Sequence, residues 1–280
     1  MERSPLYEEH LLLGGTFDGG EGRRLLGPSS YPIGSTGEPD PVDGSVLVDL
    51  SGIPTILISG DGSQQFAEAT LAGSRLAVGE TAFEASLLGD GSMASVPLAS
   101  RTGRQEYVLW DLTPRGETLF AWLGFVKGIE SDGFRPYGGV SLEEVGERLV
   151  PLLLWGSTAT AVLSDYARGG EGVPTPGGVG NLMLDGRIES LVASPKLGDE
   201  PAYLLLVPPA FARVMWRSLL SFPSVSPLGT TGLAARVEQA LPWMPFLGTT
   251  DTLKLDANEL LSHGLVREEG GFIGSRGIFG

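Results

Sequence analysis

One unit of sequence occurs twice in this chain, and no other feature narrows the fold as much. "TILISGDGSQQFAEATLA", from Thr55 to Ala72, reads as an apolar strand, a glycine turn and a helix; "LLLWGSTATAVLSDYA", from Leu152 to Ala167, reads the same way. The likeness continues downstream. "AFEASLLGDGSMASVPLAS" and "VGNLMLDGRIESLVAS" are hairpins around Asp90-Gly91 and Asp185-Gly186, two strong turn dipeptides. The strands "EYVLWDL" and "AYLLLVP" follow, then helices carrying Trp122 and Trp216 at matching places. From the first copy to the second the landmarks are 94 to 96 residues apart, a steadier offset than unrelated turns would give.

The reading is an α+β protein of two β-α-β-β-β-α units. Each is too small to bury much apolar surface alone, so the two are expected to pack as pseudo-symmetric partners around a central pocket. The expected boundaries are a loop-rich segment over 1–44, units over 45–140 and 141–245, and a C-terminal extension over 246–280. Ser63 is expected to cap the helix of the first unit, with Phe66, Ala67, Thr70 and Leu71 on its buried face. Thr113 is expected to cap the next helix, with Pro114 at its first position. The Gly- and Pro-rich stretch from Gly14 to Gly44 is expected to be loop.

Composition then removes whole classes of function. With a net charge of −15 and no Lys/Arg-rich run, neither a nucleic acid nor an anionic membrane is an expected partner. There is no cysteine, which excludes disulfides, thiolate metal sites and thiol catalysis. His10 and His263 lie far apart with no metal-ligand spacing, so no metal site is expected. The apolar stretch near the N-terminus is too short for a signal peptide, and no apolar run reaches membrane-spanning length, so a soluble cytoplasmic protein is expected. His10 is expected to be exposed or satisfied by a cap, and the tryptophans at the repeat landmarks to be core.

Collinear segments give a resemblance. "SPLYEEHLLLGG", "VDLSG" (Val48 to Gly52), "LEEVGERLVPLLLWGSTATAVL", "RVEQALP" (Arg236 to Pro242) and "GGFIGSRGIF" (Gly270 to Phe279) stand in the order of motifs of the glycine-cleavage T-protein family. The chain thus resembles the folate-dependent aminomethyltransferases over nearly its whole length. What the resemblance implies is a tetrahydrofolate site and, as partners, folate and a small amine, sulfide or ether that donates a one-carbon group. The family's C-terminal β-barrel has no counterpart before Gly280 and is expected to be absent. Aligned with the family, Glu200 takes the place of the carboxylate that binds the pterin, with Tyr203 at the following aromatic position. Arg236 keeps the motif arginine, expected to pair with a folate carboxylate, a structural acid or nearby Glu238. Ile53, directly after "VDLSG", counts among the folate contacts that the resemblance implies. Ser95 stands where the family has its catalytic aspartate, which implies poor transfer, and Asp111 is the best remaining carboxylate. The family's iron–sulfur-maintenance branch has a Cys-Tyr pair where this chain has Phe272 and Ile273. The alternative reading is a catalytically inactive folate-binding module or assembly subunit.

Overall fold

The structure is a computed structural model that describes residues 3–17, 25–32, 44–167, 172–244 and 253–280. The expected loop over Gly14–Gly44 lies in part, at 18–24 and 33–43, outside the described residues. The chain forms two compact units, one of Met1–Ile53 with Gly146–Pro242 and one of Pro54–Val145 with Trp243–Gly280.

The first of these is built on a sheet whose core strands are continuously apolar. β1 (Ser45–Asp49), β9 (Val150–Gly156), β10 (Val179–Leu184), β11 (Ile188–Ala193), β12 (Ala202–Val207) and β13 (Val225–Pro227) pair in the order β10-β11-β12-β9-β1-β13. All neighbours are antiparallel except β1 and β13. Strands apolar at every position are buried on both faces. On one face Leu47, Leu152, Leu154, Tyr203 and Leu205 pack with α4 (Ala159–Tyr166) and α5 (Pro209–Leu219). On the other, Val46, Trp155 and Ala202 stand side by side in register, all three buried. α1 (Tyr7–Leu12) joins this unit through Glu9, which Arg217 of α5 grips with two hydrogen bonds of 2.7 and 2.8 Å. α6 (Thr230–Ala240) follows β13.

The second unit repeats the plan. β2 (Thr55–Gly60), β3 (Thr81–Phe83), β6 (Leu98–Gly103), β7 (Glu106–Trp110) and β8 (Val140–Glu144) pair in the order β3-β6-β7-β2-β8. Ile56, Ile58, Tyr107 and Leu109 pack with Phe66, Ala67 and Leu71 in and after α2 (Ser63–Thr70) and with Leu119, Leu123 and Val126 of α3 (Gly116–Lys127). A separate hairpin of β4 (Ser86–Leu87) and β5 (Met93–Ser95) lies in the chain between β3 and β6. Asp90-Gly91 therefore turns this added hairpin, whereas Asp185-Gly186 joins two strands of the main sheet. Asp185, Gly186 and Arg187 link the paired Leu184 and Ile188, and positive φ at Asp185 and Gly186 suits the tight turn closed by Arg187 N–H on Leu184 O.

The two sheets correspond strand for strand as far as β8 and β1, and those two exchange places in the chain. β1, expected at the start of the unit spanning 45–140, pairs with β9; β8 pairs with β2. Sequence periodicity carries no information on which distant strand an edge will meet, so the expected boundary near 140 does not mark the division of the fold. The C-terminal segment likewise belongs to the second unit. Ala85 N–H bonds Leu265 O, Met93 N–H bonds Leu253 O and Ile273 N–H bonds Ala69 O, so 253–280 is built into that unit and is not an appended extension.

Two cap expectations fail for local reasons. α2 starts after Gly62 in a left-handed conformation, leaving Ser63 as its first residue with a buried, unpartnered hydroxyl. α3 starts two residues later than Pro114 because Thr113 Oγ1 accepts Arg115 N–H, forming a turn ahead of the helix. Gly116 opens α3 against Pro54, where a Cβ would lie 2.2 Å from Pro54 Cγ.

Candidate functional site

Three polar groups stand out, each within a single unit. The first joins two residues that the sequence placed on different strands. Ser95, at the end of β5, donates from Oγ to Asp111 Oδ2 at 2.6 Å and lies 2.9 Å from Thr113 Oγ1. Thr113 N–H donates to Asp111 Oδ1 at 2.8 Å, the usual turn of an acid that bonds its own backbone two residues on. Asp111 is 1% exposed and Ser95 0%. Burial pushes the Asp111 carboxyl above its ordinary range, against the hydrogen bonds from Ser95 and Thr113 and the nearby Arg115 charge. Arg115 donates to the carbonyls of Ala94 (2.9 Å) and Met93 (3.0 Å). Ser86, opposite Ser95 in the β4–β5 ladder, keeps a buried hydroxyl with no partner. A carboxyl pushed toward its neutral form, ringed by hydroxyls, is suited to giving and taking a proton.

The second group contains Glu200 and Arg236. Glu200 sits in the turn before β12, and Arg236 on α6 donates to it from Nη2. The guanidinium also lies 4.4 Å over the ring of Trp155, so the pair rests on an aromatic base. The side chains are 35% exposed for Glu200 and 15% for Arg236, open enough to meet a ligand. The partner of Arg236 is thus Glu200 and not Glu238. Tyr203 points to the helix-covered face, where its hydroxyl lies 2.9 Å from Thr160 of α4. It is not brought to Glu200. Ile53 is buried just after the turn that follows β1, its N–H bonded to Leu50 O.

Sequence reasoning missed the third group. Asp49, at the end of β1, accepts from His10 Nε2 at 2.8 Å, from Ser51 N–H at 2.8 Å, from Ser51 Oγ at 2.6 Å and from Ser4 Oγ. His10 is fully buried and partnered by side chains, where exposure or a cap was expected, and Tyr31 O–H lies 2.7 Å from its Nδ1. With Nε2 donating to the carboxylate, Nδ1 accepts from the phenol, which fixes the tautomer. Burial and the Asp49 charge both push the Tyr31 phenol above its ordinary range. One sequence signal was present: Asp49-Leu50-Ser51 and Asp111-Leu112-Thr113 share an Asp-Leu-hydroxyl pattern, and both fold into the same acid–backbone turn.

Among the described residues no cluster of His, Asp and Glu is arranged to hold a metal ion, and no helix is long and apolar enough to cross a membrane.

No protein-family model matches the chain, and no curated protein matches it in sequence. Its fold is similar to that of solved structures. The glycine cleavage system aminomethyltransferase T from Bartonella henselae is 20% identical, with 99% of this chain and 74% of that one covered at a TM-score of 0.73. A heterotetrameric sarcosine oxidase from Corynebacterium sp. U-96, in complex with pyrrole 2-carboxylate, is 15% identical over 79% of this chain and 93% of that one, with a TM-score of 0.43. The chain has the fold of an aminomethyltransferase T protein.

Proposed function

We propose that this chain binds tetrahydrofolate and that Asp111 is the acid–base group of a one-carbon transfer to it from a small aminomethyl donor. The fold supports a folate ligand, and Glu200 is the half-open carboxylate able to take the donor edge of a pterin. The observation that carries the reading is the 2.6 Å bond from Ser95 to Asp111. Ser95, which stands where the family has an aspartate, lies against Asp111, the carboxylate singled out from the sequence as the best remaining one.

Transfer of an aminomethyl carbon needs a proton on the departing amine and the removal of one from the attacking folate nitrogen. Asp111 in its neutral form donates the first. Once ionised, it is stabilised by Ser95 Oγ and Thr113 N–H and accepts the second. Such help is worth roughly 10²–10⁴-fold in rate.

The second reading, a folate-binding module without catalysis, is favoured by the near-complete burial of Ser95 and Asp111. One assay separates the two. Release of methylenetetrahydrofolate from an aminomethyl donor by the parent chain, reduced at least about 100-fold in Asp111→Asn, supports catalysis. Equal release by the two proteins removes Asp111 from the mechanism. A parent that binds folate and releases nothing is the module.

A further inference from the structure

α3 is apolar on two sides, and its own unit uses one of them. Leu119, Leu123 and Val126 face the core. On the outer side stand Phe120 and Phe125, with Ile129 one turn beyond, all three exposed. Phe125 is 65% exposed, and its ring stacks on that of Trp122 at 5.6 Å. Of the 12 residues of the helix, Glu117 and Lys127 alone are charged. A surface helix ordinarily carries its charges on the side away from the core, and one that is apolar all round is ordinarily buried. Gly124 adds a second, independent observation. Glycine inside a helix weakens it relative to alanine, a cost explained where a neighbour leaves no room for a side chain. Among the described residues there is no such neighbour, because a Cβ on Gly124 would meet nothing within 4 Å. The space it leaves open is on the outside.

We infer that the outer face of α3 is the contact surface of a symmetric homodimer, in which the α3 helices of two copies pack antiparallel about a two-fold axis passing between Ala121 and Gly124. This is independent of the folate reading. The face is complementary to itself. Turned about that axis, Phe120 of one copy comes level with Phe125 of the other, and Ala121 with Gly124, so each ring meets small residues of the partner helix. The face is also nearly free of charge in a chain of net charge −15, since Thr118 to Val126 carry none. Glu117 stands in the first turn and Lys127 in the last, so antiparallel packing sets the acidic end of each helix beside the basic end of the other, with their dipoles opposed. In the loop beyond, Glu130 is already paired with Arg135 at 2.6 Å. Two copies that repel each other elsewhere can approach here. The area fits as well. Phe120, Phe125, Ile129 and Phe134, with the small residues between the first two, expose about 500 Å², so two copies bury about 1,000 Å², the lower end for a specific contact. The expected dimer is therefore weak, with a Kd of about 10–100 μM.

The test is sedimentation equilibrium of the full chain at concentrations from about 5 to 300 μM. The mass of the parent is expected to rise from that of one chain to that of two. Raising the salt from about 50 to 500 mM should tighten the association at least about threefold, because screening weakens the repulsion between acidic copies and leaves the apolar contact. Gly124→Lys fills space that is open in the single chain, so its unfolding transition should persist, while it places a long side chain at the axis. The substitution also lowers the net negative charge, so any loss of association is local. Its mass should stay that of one chain throughout. Phe125→Ser, at a ring already exposed, should weaken the association at least about tenfold. A parent that keeps the mass of one chain at every concentration and at high salt overturns the inference and leaves the face to a different protein. A dimer that either variant leaves as tight as the parent's lies on another surface and also overturns it. So does an association that salt weakens, which would be held by charge, or one that grows beyond two chains. Should Gly124→Lys lose its unfolding transition, Phe125→Ser decides alone.

Discussion

Residues in this protein are informative where they are buried against their nature. Glu84 is a carboxylic acid enclosed in the second unit, with Ser74 Oγ 3.5 Å away and Arg267 as the nearby charge. Arg267 does not neutralise it directly, because its guanidinium is spent on the carbonyls of Gly270, Leu71, Gly73, Glu68 and Gly271. Desolvation wins, and the Glu84 pKa is pushed up to about 8 from 4.5. A folded acid with a raised pKa holds its proton where the unfolded chain has lost it. The stability it contributes is full below pH 4.5 and is lost as pH rises through about 8. Denaturant unfolding of the parent and Glu84→Gln should therefore diverge by about 1.4 kcal/mol per pH unit at most across that window, the parent weakening. A gap independent of pH would mean that Glu84 ionises normally. Under the proposed function Glu200 is the charged acceptor for the pterin edge, and its substitution by Gln should lower tetrahydrofolate affinity at least about tenfold, about 1.5–3 kcal/mol. Unchanged affinity would remove Glu200 from the site. Glu200, Arg236, Ser95 and Asp111 could be singled out from the sequence because each lies in a segment with a motif or repeat register. Their pairings could not, since a hydrogen bond across 16 or 36 positions depends on how segments meet. Glu84 and His10 gave no signal because burial of a polar side chain is a property of the tertiary packing.

At the scale of elements, what periodicity can see was well specified. The hairpin β10–β11, the strands β7 and β12 and the helix α5 fall where their apolar patterns and turn residues place them. The buried face of α2 is the expected one, with Phe66, Ala67 and Thr70 inside and Leu71 at its end. Helix ends were less legible, since at Gly62 and Thr113 backbone geometry overrode the preferred capping residue. The attachment of the last segment was not legible at all, and it rests on Arg267. That guanidinium takes carbonyls at the C-terminal end of α2, from Glu68 and Leu71, and from its own loop at Gly270 and Gly271. A cation there also opposes the negative end of the helix dipole. Arg267→Met keeps the stem and loses all five bonds; it should destabilise the second unit by about 2–4 kcal/mol. Hydrogen exchange should then speed first at the amides of Ala85 and Ile273, which bond across to or from this segment. Protection unchanged at both amides would mean the segment is held by its apolar contacts alone. Gly116 is a second sensitive point: Gly116→Ala drives a methyl group into Pro54 and should cost about 1–3 kcal/mol in thermal or denaturant unfolding.

For the whole molecule, the repeat predicted two similar units, and their sheets do share one strand order. The exchange of β1 and β8 between them has a consequence for any attempt to divide the chain. A fragment of residues 141–245 lacks β1 and exposes the edges of both β9 and β13, while one of residues 45–140 lacks most of β8 and the segment that Arg267 anchors. Neither should fold on its own, and the two should show no cooperative transition when expressed apart. Cooperative unfolding of either fragment alone would contradict the strand exchange. The proposed function rests on the fold, which is that of an aminomethyltransferase T protein, and on the half-open Glu200 carboxylate. Its central claim is that the chain binds a folate through Glu200. Calorimetric titration of the intact chain with tetrahydrofolate tests it most directly. The account predicts saturable one-to-one binding that weakens at least about tenfold in Glu200→Gln. No heat of binding up to millimolar tetrahydrofolate, from a chain that still unfolds cooperatively, would contradict it.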